Sequence, residues 1–414
     1  MKKHAFLAMT ALLPCFISCN GNSDSDGDEP IEQLPDAQPI ELRLAAKVET
    51  DNTFALDFFR TACDKADSPA TNVFVSPLSV SMALNMTLNG ARGTTADEML
   101  AALRADGYSL DEINEYSKSL REALTEVDPS TLLSIANSIW YHNVFPVKQT
   151  FIDLNSSFYD AEVRKADFKD KKTVDAINAW CDTKTKGKIT KIIDELSPDA
   201  VMLLMNAIYF KGIWKNKFDK GDTRKEDFTQ YDGSKKAVDM MRQTSAFNYA
   251  ADQHAAYLEL PYGNNAFSMI IALPESSVDG VVENLGSEQW NDIAGRMYGH
   301  KVNLRLPRFK TECEFTLEQN VLPAIGMIVP FGNQADFSGI SDVATYISRV
   351  IHKTFVEVNE EGTEAAAVTG VEMGVTSVGP DPQPVDFFVN RPFVFAIREK
   401  STGVILFIGK IAEL

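Results

Sequence analysis

Apolar positions give the first outline of this chain. Phe54, Leu56, Phe58 and Phe59 follow the capping candidates Asp51 and Thr53, which predicts an amphipathic helix over 54–62. Asn72 to Ser76 reads as a short strand, and Pro77 suits the first turn of a helix that runs to a glycine-rich stop at 89–95. Further helices are expected over 95–103, 110–124, 151–159 and 172–185, the last ending at Gly187. Leu132 to Trp140 alternates as a half-buried strand, with Asn137 inside it. Val201 to Phe210 is almost continuously apolar, the pattern of a strand covered on both faces. Strands follow at 238–241, 258–262, 268–274, 302–309, 355–358, 385–397 and 405–410. The blocks alternate without a regular βα rhythm and without an internal repeat, which points to the α+β class.

Between two of these strands lies a long connection, Asn359 to Pro384. Roughly twenty-five structureless residues are uncommon inside a compact domain. Read at period two, one face carries Thr363, Ala365, Ala367, Thr369, Val371 and Met373, and the other Glu364, Ala366, Val368, Gly370, Glu372 and Gly374. That is strand alternation, small and apolar on one side and charged only on the other. A strand pattern in a loop position implies two states, with the strand available later. The plain alternative is an Ala-rich helix or linker.

Glu360-Glu361-Gly362-Thr363-Glu364-Ala365-Ala366-Ala367 resembles the proximal hinge of the reactive-centre loop in inhibitory serpins. Asn72-Val73-Phe74-Val75-Ser76-Pro77-Leu78-Ser79 and Gly90-Ala91-Arg92-Gly93-Thr94 are also similar to motifs of that family. So are Thr185-Lys186-Gly187-Lys188-Ile189, Asn206 to Trp214 with Phe210-Lys211-Gly212 inside it, and Ala335-Asp336-Phe337-Ser338-Gly339. The resemblance spans about residues 50–414 and leaves no room for a second domain. It implies the serpin fold, a multi-sheet β core with surrounding helices and an exposed reactive-centre loop at about 360–384. It also implies that Ser76 and Ser79 lie under the central sheet where it parts, that Asn206 sits beside His352 and Ser76 at its centre, and that Trp214 stands near the top. Arg308 would pair with Glu360 and latch the sheet shut. Without the resemblance, that pair is a surface ion pair worth about 0–1 kcal/mol, and His352 is a satisfied core histidine.

The activity implied is suicide inhibition. A target serine or cysteine protease attacks the loop as a substrate. After acylation the loop must enter the sheet as a new strand before water frees the enzyme, serpin loop insertion being a standing instance of strand addition and strain release. Large or charged inward residues would slow that step; Thr363, Ala365, Ala367 and Thr369 are small, and Gly362 lets the hinge turn. The commonest family spacing from Glu360 places the scissile bond at Thr376–Ser377, with Val375 as the neighbouring alternative. These side chains suit elastase-like or subtilisin-like proteases, and the absence of Lys and Arg argues against trypsin-like ones. A second reading is a non-inhibitory serpin-fold binding module at the cell surface. A third is an unrelated glycan-binding lipoprotein.

Composition narrows the rest. The 414 residues are 44% hydrophobic and 10% aromatic, ample for a folded core. A formal charge of −18 argues against a nucleic-acid-binding face and against a basic, heparin-like cofactor patch. None of the five histidines has metal-ligand spacing, and no Gly-x-Ser-x-Gly elbow or phosphate loop occurs. A monomer with no catalytic residue, metal or cofactor is therefore expected, with proteases as its partners. Lys2, Lys3 and the apolar run Ala5 to Ile17 read as an export signal over residues 1–18, too short to span a bilayer. Phe16-Ile17-Ser18-Cys19 resembles a lipobox that would lipidate Cys19; Cys15 fits less well, and an ordinary cleaved signal is the alternative. Residues 19–45, acidic and rich in Gly, Ser and Pro, read as a flexible tether resembling the export signal of surface-exposed outer-membrane lipoproteins. The membrane would then be touched through the lipid alone. The domain proper is expected over 46–414. Cys63, Cys181 and Cys313 suggest buried small side chains rather than a disulfide framework.

Overall fold

The computed structural model describes residues 35–197, 200–363 and 383–414. Helix α1 (Lys47–Asp64) begins more than a turn before Asp51, with Ala46 at its N-cap. The reason is Lys47, which is buried with its ammonium on Asp51 and over the rings of Tyr108 and Tyr116. Strand β1 (Val73–Val75) leads through Ser76, whose side chain accepts from Ser79 N–H, into α2 (Pro77–Leu88). Then come α3 (Gly93–Ala102) and α4 (Leu110–Glu126), the latter opened by a Ser109–Glu112 capping box. Next are β2 (Leu132–His142), α5 (Gln149–Tyr159), β3 (Glu162–Ala166), α6 (Lys171–Lys184) and β4 (Met202–Ile213). An antiparallel run follows: β5 (Arg224–Thr229), β6 (Lys235–Ala251), β7 (Ala255–Pro261) and β8 (Phe267–Pro274). After α7 (Val278–Asn284) and α8 (Ser287–Arg296) come β9 (Tyr298–Pro307), β10 (Phe309–Thr316) and the short α9 (Val321–Ala324). The chain ends with β11 (Ile351–Asn359), β12 (Gly362–Thr363), β13 (Val385–Phe388), β14 (Phe393–Glu399) and β15 (Ile405–Ile411).

The strand expected over 385–397 is thus two strands, broken where Pro392 has no N–H to give a ladder. β3 and β5 escape an apolar reading because they are edge strands, rich in Glu, Arg, Lys and Asp as exposed edges are. Among the described residues, nine strands form one sheet in the order β1-β15-β14-β8-β7-β6-β9-β13, with β5 on β6. Six form the other, β10-β11-β12-β4-β2-β3. α2 lies beneath the six-stranded sheet, between it and the main core, and α6 covers its outer face through Ile177 and Trp180.

β4 is not covered on both faces along its length. Ala207 to Phe210 are buried, but Met202 to Leu204 are only half-buried. Below Thr363 no strand among the described residues pairs with β4 on the β11 side, and its apolar run borders the space between the two strands. The tether reading also changes at its end. Residues 35–46 lie against the body, with Ala37, Ile40, Leu42 and Leu44 packed on the main core. Cys181 and Cys313 are buried and Cys63 is half-buried, all three as free thiols.

Candidate functional site

β11 climbs to Asn359, the chain reverses over Glu360 and Glu361, and β12 comes down between β11 and β4. Thr363 pairs with Val358 on one side and Gly212 on the other; Gly362 pairs with Asn359 and Ile213. Gly362 is held at φ +151°, and a Cβ there would lie 2.0 Å from the backbone oxygen of Gly212. Trp214 holds both arms of the reversal, its N–H donating to Glu361 O at 2.8 Å and its Nε1–H to Asn359 O at 2.9 Å. Its ring stacks on Tyr262 at 4.4 Å, and the Tyr262 hydroxyl lies 2.6 Å from Thr363 Oγ1. Burial pushes the Tyr262 hydroxyl pKa well up, so it stays protonated. Trp214 is therefore at the top of the sheet, as the sequence resemblance implies.

Arg308 and Glu360 lie in contact. Arg308 donates through Nε to both Glu360 oxygens at 2.9 and 2.8 Å and through Nη2 to Oε1 at 2.6 Å. Glu360 is only 2% exposed while Arg308 is 41% exposed, so this is a half-buried pair rather than a free surface one. Burial raises the carboxyl pKa, but hydrogen bonds from Arg308 and Thr223 and the arginine charge outweigh it and hold it below the ordinary range. The bidentate fork fixes the hinge's starting angle.

Beneath Thr363 the space between β4 and β11 continues as a cavity of about 460 Å³. Ser79, Val80, Cys181, Asn206, Ile208 and His352 are among the residues lining it. Ser76 N–H donates to His352 Nε2 at 2.9 Å, and Ser76 Oγ donates to Leu406 O at 2.8 Å. Among the described residues, no hydrogen bond joins His352 to Asn206. The strands carrying them are separated by one strand position that no described residue fills, about 9–10 Å at normal spacing. Asn206 Nδ2 instead donates to Asn137 Oδ1 at 2.8 Å, and Asn206 Oδ1 is buried with no hydrogen-bond partner among the described residues.

Burial alone pushes the His352 pKa down to about 3 from 6.5. Its ring is neutral at physiological pH, with the proton on Nδ1. Between those values the unfolded chain binds a proton that the folded one refuses, so the histidine's contribution is intact above pH 6.5 and is lost as pH falls towards 3. The loss approaches about 1.4 kcal/mol per pH unit. Urea midpoints measured from pH 7 down to 4 should fall in the parent and fall less steeply in His352→Gln. Equal slopes would remove His352 as the source.

Sequence reasoning passed over Tyr262 and Thr223, which grip the hinge from the turn after β7 and from just before β5, and gave Gly212 only as part of a motif. Glu364, Ala365, Ala366, Ala367 and Thr369 of the hinge, the bond candidates Val375, Thr376 and Ser377, and Cys19 lie outside the described residues.

A family model, Serpin (serine protease inhibitor), matches residues 49–414. Iris of Ixodes ricinus is 38% identical over 376 residues, covering 87% of this chain and 97% of Iris. Among solved structures, the thermophilic serpin Tengpin in its native state is similar at a TM-score of 0.81 and 32% identity, covering 92% of this chain and 97% of Tengpin. Thyroxine-binding globulin in complex with thyroxine is similar at a TM-score of 0.79 and 26% identity, covering 89% and 99%. The hinge, the latch and the gap all fall within the matched span, and this chain belongs to the serpin family of protease inhibitors.

Proposed function

We propose that this chain is a suicide inhibitor of serine endopeptidases, with cysteine endopeptidases as secondary targets. One observation carries the reading: β12 occupies the top of a strand position between β11 and β4 that no described residue fills below Thr363. Continuing its register downward in steps of two sets Ala365 opposite Phe210 and Val356. Ala367 then faces Ile208 and Thr354, and Thr369 faces Asn206 and His352. Directly opposed residues share a face. Phe210 and Ile208 belong to the main core, and Val356, Thr354 and His352 are buried, so the small face of the loop would point inward. The Thr369 hydroxyl would arrive beside the unpartnered Asn206 Oδ1.

In the reaction, the protease's nucleophilic oxygen or sulfur adds to the Thr376 carbonyl and the Ser377 amine leaves, giving an ester or thioester to the loop. Insertion then carries the joined enzyme away from the cleavage geometry. Val375 and Thr376 favour elastase-like or subtilisin-like targets. Export with lipidation at Cys19 would place the inhibitor on the outer face of the outer membrane; loss of fatty-acid labelling in Cys19→Ala tests that part. The main test mixes the full chain with an elastase-like protease, followed by denaturing gels and mass spectrometry of the released peptide. A denaturant-stable band at the summed mass, with a peptide beginning at Ser377, is expected. Cleavage with no such band across several proteases would favour the second reading, a carrier at the cell surface; thyroxine-binding globulin, whose solved structure holds thyroxine, is the comparison that supports it.

A further inference from the structure

Thirteen methionines occur in the chain, and ten of them lie among the described residues. Eight of those ten are buried, none more than 8% exposed. The two half-buried ones are Met202, at the start of β4, and Met297, just past the end of α8. Both pack on the main core, and of the two Met202 alone also lines the space between β4 and β11. Oxidation of an accessible thioether puts a polar, chiral sulfoxide in place of a flexible apolar side chain.

Met202 lies on the inward face of β4. It shares that side with Leu204, Ile208 and Phe210, which pack on the same core, whereas Leu203, Met205 and Ala207 pack with α6. In an inserted strand that continues the register of β12, position 373 would stand opposite Met202, and Val371 opposite Leu204. Residue 373 is itself a methionine, three residues before Thr376. Phe337, Ile340 and Ile347 line the same space. The lower end of an inserted strand would thus be seated by apolar contacts, two thioethers among them.

We propose that Met202 is an oxidation site through which a peroxide converts the inhibitor into a substrate. The Met202 sulfur attacks one oxygen of the peroxide and the O–O bond breaks. The sulfur loses two electrons and gains an S=O bond, and the other oxygen of hydrogen peroxide leaves as water with both protons. The sulfoxide oxygen is a hydrogen-bond acceptor in an apolar seat, so burying it opposes the last part of insertion. Deacylation is untouched, and hydrolysis gains on trapping. The inference rests on the inhibitory reading above and deepens it by assigning that step a chemical control.

The test starts from full-length Met373→Leu, which removes the loop's own thioether, and adds Met202→Leu or Met297→Leu to it. Leucine is close to methionine in volume, so these chains should fold. Each is treated with hydrogen peroxide, its sulfoxides are mapped by peptide mass spectrometry, and its trapping is compared with its own untreated sample. Peroxide should raise the inhibitor consumed per protease trapped about three- to tenfold in Met373→Leu, with the first cleavage rate unchanged. Adding Met202→Leu should abolish that rise, and adding Met297→Leu should leave it. A Met202 sulfoxide without the rise overturns the proposal. So does an undiminished rise once residue 202 is leucine, or a sulfoxide at Met297 with none at Met202. A second measurement needs no trapping. Parent cleaved before treatment should oxidise at Met202 about tenfold more slowly than uncleaved parent, with Met297 equally reactive in both; equal rates at Met202 overturn the proposal as well. Untreated chains that trap no protease would be the failure of the inhibitory reading itself, seen before any peroxide is added.

Discussion

Replacing Thr369 by arginine should leave the loop cleavable and abolish trapping. In an inserted strand that continues the register of β12, position 369 would fall between Asn206 and His352, above Ser76 and α2. Threonine there would bring a hydroxyl to Asn206 Oδ1. Arginine brings a guanidinium beside a histidine kept neutral by burial, and the two residues opposed to position 369 by register, Asn206 and His352, carry no charge to pair with it. An unpaired buried charge costs several kcal/mol. If about 3 kcal/mol of that is felt in the insertion barrier, insertion slows by about 100-fold. Deacylation is unaffected, so hydrolysis overtakes insertion and the protease is released. The measurement is the number of inhibitor molecules consumed per protease trapped, which should rise steeply while the first cleavage rate stays at the parent value. Ala367→Glu, which would face Ile208 and Thr354, should behave alike, and Thr369→Ser should trap normally. Full trapping by Thr369→Arg would mean that the loop does not enter by this register.

Much of this site is legible in the sequence because the hinge carries its own periodicity. Thr363, Ala365, Ala367 and Thr369 form one face at period two, and the charge of the hinge, Glu364, falls on the other, whatever surrounds them. The Pro77 helix start and the buried core strand β8 are equally local in origin, resting on a fixed φ and on an unbroken apolar run. Other features depend on partners far away in the chain. Asn206 bonds Asn137 across the β2–β4 ladder rather than His352, because a strand position with no described residue in it separates β4 from β11 there. Tyr262 reaches Thr363 from the nine-stranded sheet, and Asp36 reaches Lys215 from a segment whose composition alone reads as solvated tether. The apolar run of β4 was the subtlest case. Its pattern predicts burial on both faces, yet Met202 to Leu204 are only half-buried, beside the space between β4 and β11. Filling the gap would remove these side chains from water and give β4 and β11 a continuous ladder, both of which favour insertion.

Gly362→Val should disable the same process at its first step, and the two variants can be told apart. A side chain at 362 meets backbone on arrival: its Cβ would lie 2.0 Å from Gly212 O, 2.8 Å from Ile213 Cα and 3.0 Å from Gly212 C. These are atoms of β4 itself and cannot swing aside as a long side chain could. The φ of +151° adds a conformation that a β-branched residue scarcely adopts. β12 would therefore be expelled from between β11 and β4, and Thr363 would lose its contact with Tyr262. Because the hinge is held mainly by Arg308, Thr223 and Trp214 through Glu360, Glu361 and Asn359, the rest of the fold should survive. Cleaved Thr369→Arg can still zip the loop in as far as Val368, so it should gain part of the heat resistance that the cleaved parent gains. Cleaved Gly362→Val has no first rung and should gain almost none, while also failing to trap protease. A cleaved Gly362→Val protein as heat-resistant as the cleaved parent would show that insertion does not begin from β12, and the place of Gly362 between the two strands would then be incidental to inhibition.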